Sequence, residues 1–480
     1  MTTFELITSL IDHMILVYTI AITGSYLILS AISAYFLNRY MKAARPTDYN
    51  KIINSPLAPE VSVIVPCYNE SLSIVANIRA LLNLHYNNYD VVIVNDGSTD
   101  ESLQQVVDAY EMEQVTYYIN ERLPTQPVYG VYQSRNKAYH NLTLVDKENG
   151  GKADALNAGL NVSSKDYVVC LDVDSIIEHD ALLKLAQPFL KYHKKRLIAV
   201  GGVVHVANSC QVEKGRLINR RVPRSFYPRI QVVEYARAFL VGRITWSHMN
   251  GLLIISGAIG MFDREAMIGC GGYLPETVGE DMELVVRMRR YLYERRIKHK
   301  VMYLPDPLLW TEVPTNRKIL GRQRNRWTRG TMDTLFMHKK LFFNPRYGSL
   351  GMLGYPYWFF FEWMAPIVEI LGFTYFLIMA ILGAINWPLF LTILLFIYLF
   401  AVAFSFFSIL YDELTFHPYE SPVENFRLFM AAMAEPFLYH PLVVYWSIKG
   451  NISYLQGNRA WGAMKRVGFD EKGSSRPLSS

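Results

Sequence analysis

Cysteine is scarce in this chain, and the few cysteines present form no pattern. Four cysteines occur in 480 residues, none of them in a CxxC pair or at the spacing of metal ligands. A disulfide scaffold or a zinc-finger-type site is therefore excluded as an organising feature. The sequence predicts free thiols in a reducing compartment. The four cysteines are Cys67, Cys170, Cys210 and Cys270.

The chain also lacks a strong charge bias. Its net charge of +6 is modest and spread along the sequence, so we expect no nucleic-acid partner and at most a basic surface that faces a membrane. Internal repeats and low-complexity tracts are missing as well. What the chain does have is apolar residues, 51% of the total, which concentrate near the N-terminus and after Gly351.

The first apolar stretch, Met14 to Leu37, contains no charged residue. It is long enough to cross a hydrocarbon core of about 30 Å. A cleaved signal peptide is the competing interpretation, but no Lys or Arg precedes the stretch, so the positive n-region of such a peptide is missing. Basic residues follow it instead, among them Arg39 and Lys42. The positive-inside rule then predicts an outer N-terminus and a cytoplasmic central domain.

Further spans are predicted near the C-terminus. Residues 363–385 and 389–411 are apolar and are separated by a tight turn, which indicates a helical hairpin. Residues 426–448 contain charges and two prolines, so they either form a broken span or lie in the interface. Glu369 within the first of these segments either lines a polymer channel or lies near the headgroups.

Between the apolar ends, strands and helices alternate. This order predicts an α/β domain with a Rossmann-like, mostly parallel sheet that binds ligands at the carboxyl ends of its strands. The expected strands are 61–66, 91–95, 115–119, 167–171 and 198–206, and helices are expected from Asn69 and over 152–161 and 181–190. The polar stretch 121–149 is expected to form a surface hairpin or loop.

The predicted organisation has five parts. They are an N-terminal anchor (1–50), a soluble domain (51–316), an amphipathic helix region (317–350), C-terminal membrane helices (351–450) and a tail (451–480).

Asp172-Val173-Asp174 follows the strand 167–171. Strand alternation points the two carboxylates the same way, which suits a hard divalent cation that also holds phosphate oxygens. A solvated turn is the alternative interpretation of a lone DxD.

Polar groups also follow two earlier strands, around Glu70 and Asp96. Alternatively, these polar residues could only cap a helix, compensate its dipole or form a turn. Lys152 follows two glycines at a helix start and can reach a diphosphate, although the P-loop spacing is absent.

An ordered series of motifs extends over about residues 61–330: PCYNE, VNDGSTD, GGKADALN, DVD, SGA, GED and QRNRW. This series resembles glycosyltransferase family 2, which has the GT-A fold. Gly279-Glu280-Asp281 and the QxxRW match Gln323 to Trp327 are similar to the processive branch of poly-N-acetylglucosamine, chitin, hyaluronan and cellulose synthases. The cellulose-type pattern usually has Thr where this chain has Gly279.

The resemblance implies a role for each matching residue. Residues matching Tyr68, Glu70 and Asp96 hold the uridine of a UDP-sugar, and those matching Lys152 and Asp172 lie by its ribose and diphosphate. The remaining expected site residues are Asp174, with Asp172, for Mg²⁺ or Mn²⁺; Asp281 for the general base; and Glu280, Gln323, Arg326 and Trp327 for the acceptor and diphosphate.

Simpler interpretations stay open beside these roles. Asp281 could serve only to stabilise the N-terminus of the helix that it begins. Residues 318–340 could form an amphipathic helix in the membrane interface, with Arg and Trp side chains that contact lipid headgroups. The small residues at Ser256-Gly257-Ala258 either admit an acceptor sugar or pack tightly. The Arg-rich stretch 216–229 is expected at the membrane surface, with a contact to donor phosphates as the alternative.

The sequence therefore predicts a multi-pass plasma-membrane enzyme with a cytoplasmic catalytic domain. It would extend a β-linked polysaccharide from a UDP-sugar, UDP-N-acetylglucosamine being the expected donor, by inverting, metal-dependent transfer coupled to export. The expected partners are the donor, the growing polysaccharide, the lipid bilayer and accessory export or regulatory subunits. Alternatives are single addition to a lipid carrier, and a transporter with a degenerate nucleotide-binding domain.

Overall fold

The structure is a computed structural model that describes residues 3–43, 52–53, 55–173, 175–192, 194–213, 216–419 and 421–458. Asp174, part of the basic flank behind the first span, and the tail beyond residue 458 lie outside the described residues. The described chain consists of an α/β domain and a group of long apolar helices packed beside it.

The α/β domain is built on one ten-stranded mixed sheet among the described residues, in the order β3-β4-β5-β2-β1-β6-β11-β8-β12-β7. Strands β5, β2, β1 and β6 run parallel at its centre, where β1 is an almost continuous buried run, as expected of a strand covered on both faces. A separate hairpin pairs β9 with β10. The strands are β1 Val61–Cys67, β2 Tyr89–Asp96, β3 Met112–Val115, β4 Val128–Ser134, β5 Leu142–Lys147, β6 Tyr167–Leu171, β7 Ile176–Ile177, β8 Arg196–Val206, β9 Gln211–Glu213, β10 Arg216–Asn219, β11 Ile259–Asp263 and β12 His299–Thr311.

The helices of the α/β domain cover the sheet and carry the later motifs. Two of them, α6 and α7, are joined by a π-helical segment, Arg237–Arg243. The helices of this domain are α2 Ile74–Leu82, α3 Ser102–Ala109, α4 Lys152–Val162, α5 Ala181–Lys191, α6 Phe226–Ala236, α7 Ile244–His248, α8 Arg264–Gly269, α9 Glu280–Glu294 and α10 Arg317–Met337. The predicted fold class, α/β with a mostly parallel GT-A sheet and apolar helices, is confirmed.

Two local predictions are wrong. The strand expected at 115–119 is β3, which ends at Val115. The stretch 121–149, expected to form a surface hairpin or loop, contains the antiparallel pair β4 and β5, so the hairpin is confirmed, but β5 also pairs parallel with β2 inside the sheet. Four of the six residues of β5 are buried and two are half-buried, and its polar residues hid its place in the sheet from the sequence pattern. The helix expected from Asn69 begins at Ile74, because Asn69 has a left-handed φ of 56°.

Three helices of the described chain are long and apolar enough to cross a membrane: Thr3–Lys42, Leu350–Ile381 and Trp387–Phe416. The first lies within α1, Thr3–Ala43, and the second contains the π-helical turns Leu350–Gly354 and Trp358–Trp363 followed by α11, Ala365–Ile381. The third is α12, Trp387–Phe416. Two further helices, α13 Pro422–Leu438 and α14 His440–Leu455, form a pair bent by 52° that could make a fourth span.

Helix α10 joins the two parts of the molecule. A Cβ on its Gly321 would lie 2.6 Å from Nε1 of Trp446, and a Cβ on Gly450 would lie 2.8 Å from Cβ of Thr328. Glycines on both helices therefore let α10 and α14 approach closely. The helix predicted at the membrane interface is present, with one face covered by α14.

Candidate active site

Two loops hold each other in place at the carboxyl edge of the sheet. The side-chain oxygen of Asn69, in the loop after β1, accepts a hydrogen bond from the N–H of Thr99 at 2.8 Å. In return, the Asn69 N–H donates to Oγ of Ser98 at 3.0 Å. The cross-linked loops place Tyr68, which is half exposed, and Glu70 in the wall of one large cavity.

Asp96 is buried at the end of β2, and its carboxylate is already engaged. It accepts hydrogen bonds from the N–H groups of Gly150 at 3.0 Å and Gly151 at 2.8 Å, and from the Lys147 ammonium at 2.7 Å. Asp96 therefore braces the glycine loop that begins α4. It also lines the cavity, so the predicted uridine contact remains a prediction beside this positioning role.

Lys152, at the start of α4, lies between two carboxylates. Its Nζ is 2.6 Å from Oδ1 of Asp172 and 3.9 Å from Oε1 of Glu280. Burial alone would lower the pKa of the Lys152 ammonium, but the charges of Asp172 and Glu280 outweigh burial and raise that pKa. The cluster thus keeps a charged ammonium at the strand ends, where a diphosphate would lie.

Glu280 is held in an unusual state for a carboxylate. It is 4% exposed, and burial raises the pKa of its carboxyl to about 7, opposed by Lys152 and reinforced by Asp281. Its Oε2 is buried without a hydrogen-bond partner among the described residues. A buried acceptor without a partner is costly, which points to a group that a ligand completes.

Asp281 follows Glu280 in the first turn of α9 and faces Gly257. A Cβ on Gly257 would lie only 2.5 Å from Oδ2 of Asp281, so this position needs a residue without a side chain. Both residues line the cavity. The glycine of the SGA motif therefore leaves room for the Asp281 carboxylate.

Glycines also bring α10 to this carboxylate pair. A Cβ on Gly279 would lie 2.6 Å from Cα of Gly330, so the two backbones touch. The contact places Gln323, Arg326 and Trp327 in the same cavity wall as Glu280, and the charge of Arg326 acts on Glu280. Oε1 of Gln323 is a second buried acceptor without a partner among the described residues.

Trp327 presents an open face. It is 39% exposed, and the guanidinium carbon of Arg324 lies 4.2 Å from its ring centroid. Arg324 is itself held by Glu234 at 2.7 Å. Arg324 was not among the predicted site residues, although it lies inside the QxxRW motif, because its place beside Trp327 depends on this pairing with a residue on α6.

The cavity does not end at the sheet. Its volume of about 2200 Å³ is lined both by the strand-end residues above and by side chains of the apolar helices. Glu369, whose place the sequence left open, lines it and contacts Nε2 of His440 at 2.7 Å. Other cavity residues from the apolar helices are Tyr18, Glu362, Phe373, Leu394 and Tyr398.

The predicted metal ligands, Asp172 and Asp174, suit a divalent cation that is also bound by the phosphates of a nucleotide. Asp172 lines the cavity, and its partner in the predicted metal pair, Asp174, lies outside the described residues. Over the described ranges no group of three or more His, Cys, Asp or Glu side chains could hold a metal ion. One or two carboxylates combined with substrate phosphates is a usual way of holding Mg²⁺.

Lys147 is a buried residue outside the motifs that bridges Asp96 to Asp154, whose Oδ1 lies 2.6 Å away. It was not predicted, because a lysine in a polar stretch resembles a surface residue.

The Arg-rich stretch 216–229 lies apart from the cavity. Arg220 pairs with Glu178 at 3.1 Å, and none of the stretch's described side chains lines the cavity.

Comparison with known proteins identifies relatives of this chain. The family model described as "Glycosyltransferase like family 2" matches residues 58–330. A poly-beta-1,6-N-acetyl-D-glucosamine synthase of Staphylococcus epidermidis (strain RP62A) is 29% identical over 276 residues, which are 57% of this chain and 55% of the relative. The synthase of the same name from Staphylococcus aureus (strain COL) is 29% identical over 315 residues, 65% of this chain and 63% of the relative. The matches thus span 55% and 63% of the length of these curated relatives.

Two solved structures are also similar to this chain, at low sequence identity. The mannosyltransferase PcManGT from Pyrobaculum calidifontis, in complex with GDP-Man and Mn²⁺, has a TM-score of 0.48 at 16% identity, over 92% of this chain and 99% of that chain. S. aureus TarS 1-349, in complex with UDP-GlcNAc, has a TM-score of 0.36 at 15% identity, over 83% of this chain and 92% of that chain.

Proposed function

Because this chain belongs to glycosyltransferase-like family 2, we propose that it transfers N-acetylglucosamine from UDP-N-acetylglucosamine to the end of a growing β-linked polysaccharide. The family assignment supports the transfer, and the names of the relatives support the sugar. The single observation that carries the proposal is the cavity, in which the candidate transfer site and the apolar helices share one space.

In the proposed reaction, Asp281 takes the proton from the acceptor hydroxyl as that oxygen attacks the anomeric carbon. The bond from this carbon to the diphosphate breaks, and UDP leaves with the electron pair. Attack opposite the leaving group inverts the α linkage of the donor, so the product is β-linked. Gly257 leaves the space beside Asp281 that the acceptor hydroxyl needs.

Charge on the departing diphosphate would be met by Lys152 and Arg326, which line the cavity and whose charges both act on Glu280. Asp172 and Asp174 would hold Mg²⁺ or Mn²⁺, which supplies further positive charge to the diphosphate when bound. Tyr68, Glu70 and Asp96 would surround the uridine at the ends of β1 and β2. Trp327 offers its exposed face to an acceptor ring, and Gln323 offers it a buried carbonyl oxygen.

The apolar helices give this chemistry a direction. We place the α/β domain in the cytoplasm and the N-terminus outside, in a multi-pass arrangement, because basic residues follow the first span and none precede it. A product that leaves Asp281 would move along the cavity between the apolar helices. Polymerisation would then be coupled to export.

The test is UDP release by the purified full chain against a panel of UDP-sugars, combined with sizing of the product. We expect release with UDP-N-acetylglucosamine well above the other donors, and products of many sugars. Release without any product longer than one sugar on a lipid carrier would contradict the proposed extension and favour the single-addition alternative.

A further inference from the structure

Two π-helical turns carry charged side chains that line the cavity. Arg243 is the last residue of the π-helical segment Arg237–Arg243, and Glu362 lies within the π-helical turn Trp358–Trp363. Both side chains belong to the cavity lining. π-Helical turns are rare and frequently occur at functional sites, so two of them in the lining of one cavity call for an explanation.

Arg243 has unused hydrogen-bonding capacity. Its Nε is buried without a partner among the described residues, while its guanidinium carbon stacks 4.4 Å from the Phe239 ring centroid. The negative charges of Asp281 and of Glu362 both act on it. Arg243 therefore lies within electrostatic reach of both the candidate catalytic carboxylate and a carboxylate of the apolar helices.

Trp246, one turn further along, adds a second donor of the same kind. Its indole Nε1 is buried without a partner among the residues that the structure describes. The ring packs against Tyr357, with centroids 4.9 Å apart, and it lines the cavity beside Arg243. Buried donors are normally satisfied, so two such donors in one cavity wall point to a polar ligand.

Glu362 supplies an acceptor in the same cavity lining. Its side chain is exposed although it lies within an apolar helix, because it faces the cavity. Tyr357 hydrogen-bonds to its carboxylate. A carboxylate in such a position is costly unless it is paired or meets a polar occupant.

The other charged pairs of this region make direct contact. Arg237 donates to Oε2 of Glu435 at 2.7 Å, and His440 lies 2.7 Å from Glu369. Over the described chain, Arg243 and Glu362 form no such ion pair, although their charges act on each other. Opposite charges that line one cavity and act on each other without direct contact are available to a polar ligand.

We propose that Arg243 and Glu362 form an acceptor-sugar subsite that holds a sugar of the product chain after it has left Asp281. Arg243 and Trp246 donate to hydroxyl or acetamido oxygens, and Glu362 accepts from hydroxyl or amide groups. One donor side and one acceptor side match an uncharged, hydroxyl-rich sugar. This inference rests on the proposed function, since it supplies the acceptor side of that reaction.

The test measures binding and reaction separately in the full chain. Binding of short N-acetylglucosamine oligosaccharides is titrated calorimetrically without donor, and UDP release from UDP-N-acetylglucosamine is followed with and without them. For Arg243→Leu and Glu362→Gln we expect oligosaccharide affinity to fall by about tenfold to a hundredfold, since each removes hydrogen bonds to a charged group. Donor affinity should stay within about twofold, and Arg243→Lys should restore part of the loss.

The matched control is Arg220→Leu, which removes an arginine from an ion pair with Glu178 outside the cavity; it should bind oligosaccharide like the unchanged chain. Unchanged oligosaccharide affinity in both Arg243→Leu and Glu362→Gln, with donor binding intact, would overturn the subsite and leave the proposed function standing. Loss of donor affinity together with oligosaccharide affinity would also overturn it, because that pattern indicates a structural role. Oligosaccharide binding that depends on Arg243 in a chain that releases no UDP would support the subsite and refute the proposed reaction.

Discussion

Charged side chains are arranged differently at the two ends of the cavity: the sheet end, at the carboxyl edge of the β-sheet, and the helix end, between the apolar helices. At the sheet end, Lys152, Asp172 and Glu280 form one compact cluster that lies at the end of one strand and the starts of two helices. At the helix end, charges come from helices far apart in sequence, as in the pair Arg237 and Glu435. In the proposed function the first arrangement would meet a charged leaving group, and the second would hold the helices around a passage together. Substitutions at the two ends should therefore fail in different ways.

The largest effect should come from Asp281→Asn at the sheet end. General-base catalysis contributes about a hundredfold to ten-thousandfold, so kcat for UDP release should fall by about that factor. Donor binding should change little, because Asn has nearly the shape of Asp. Stopped assays of UDP release measure the first quantity and calorimetry the second. Glu294→Gln, at the other end of α9, is the matched control; equal activity of the two variants would remove Asp281 from the chemistry.

At the helix end, Arg237→Met should act on stability instead. It leaves the Glu435 carboxylate, which is 5% exposed, without its cation, at a cost of about 3–5 kcal/mol. The double variant Arg237→Met with Glu435→Met should recover most of that stability, since neither charge remains. Thermal unfolding in detergent measures both.

The control for that cycle is Arg427→Met. Arg427 belongs to an exposed pair with Glu424 in the same group of helices, and exposed pairs contribute about 0–1 kcal/mol. If Arg237→Met destabilised the protein no more than Arg427→Met does, the contrast between the two ends would not hold.

A smaller effect is expected for Gly257→Ala, which should disturb geometry alone. The added Cβ would lie 2.5 Å from Oδ2 of Asp281, and displacement of a reacting group by about 1 Å can cost about a hundredfold. We expect kcat to fall by about tenfold to a hundredfold at unchanged unfolding temperature. Gly24→Ala, which meets nothing within 4 Å, should match the unchanged chain. Full activity of Gly257→Ala would show that Asp281 is free to shift.

The smallest effect concerns pH. The carboxyl of Glu280 has a pKa of about 7, so it gains a proton and loses its negative charge as the pH falls through 7. A diphosphate should then bind better, and affinity for UDP-N-acetylglucosamine should rise by roughly threefold to tenfold from about pH 8 to about pH 6. Glu280→Gln should flatten this profile, whereas the exposed neighbour Glu276→Gln should keep it. A slope that survives in Glu280→Gln would assign the titration to another group.

The sequence predicted the sheet end better than the helix end, for a physical reason. Motifs at strand ends are short and local, so parallel strands bring Tyr68, Lys152 and Asp172 to one edge. Arg243 and Glu362 lie on different helices, and only packing brings them into one cavity. Asp96 was correctly predicted to lie at the end of a strand. The sequence did not show that its carboxylate oxygens already accept hydrogen bonds from Gly150, Gly151 and Lys147.

Transfer at Asp281 should deliver polymer into a passage between the apolar helices, and a vesicle experiment can show whether it does. The full chain is reconstituted in vesicles with its α/β domain outside, and UDP-N-acetylglucosamine is added to the outside only. After synthesis, a glycosidase that cannot cross the bilayer is added. We expect long β-linked polymer that survives in the lumen until detergent opens the vesicles. Complete digestion of the polymer in intact vesicles would show that the product does not enter such a passage.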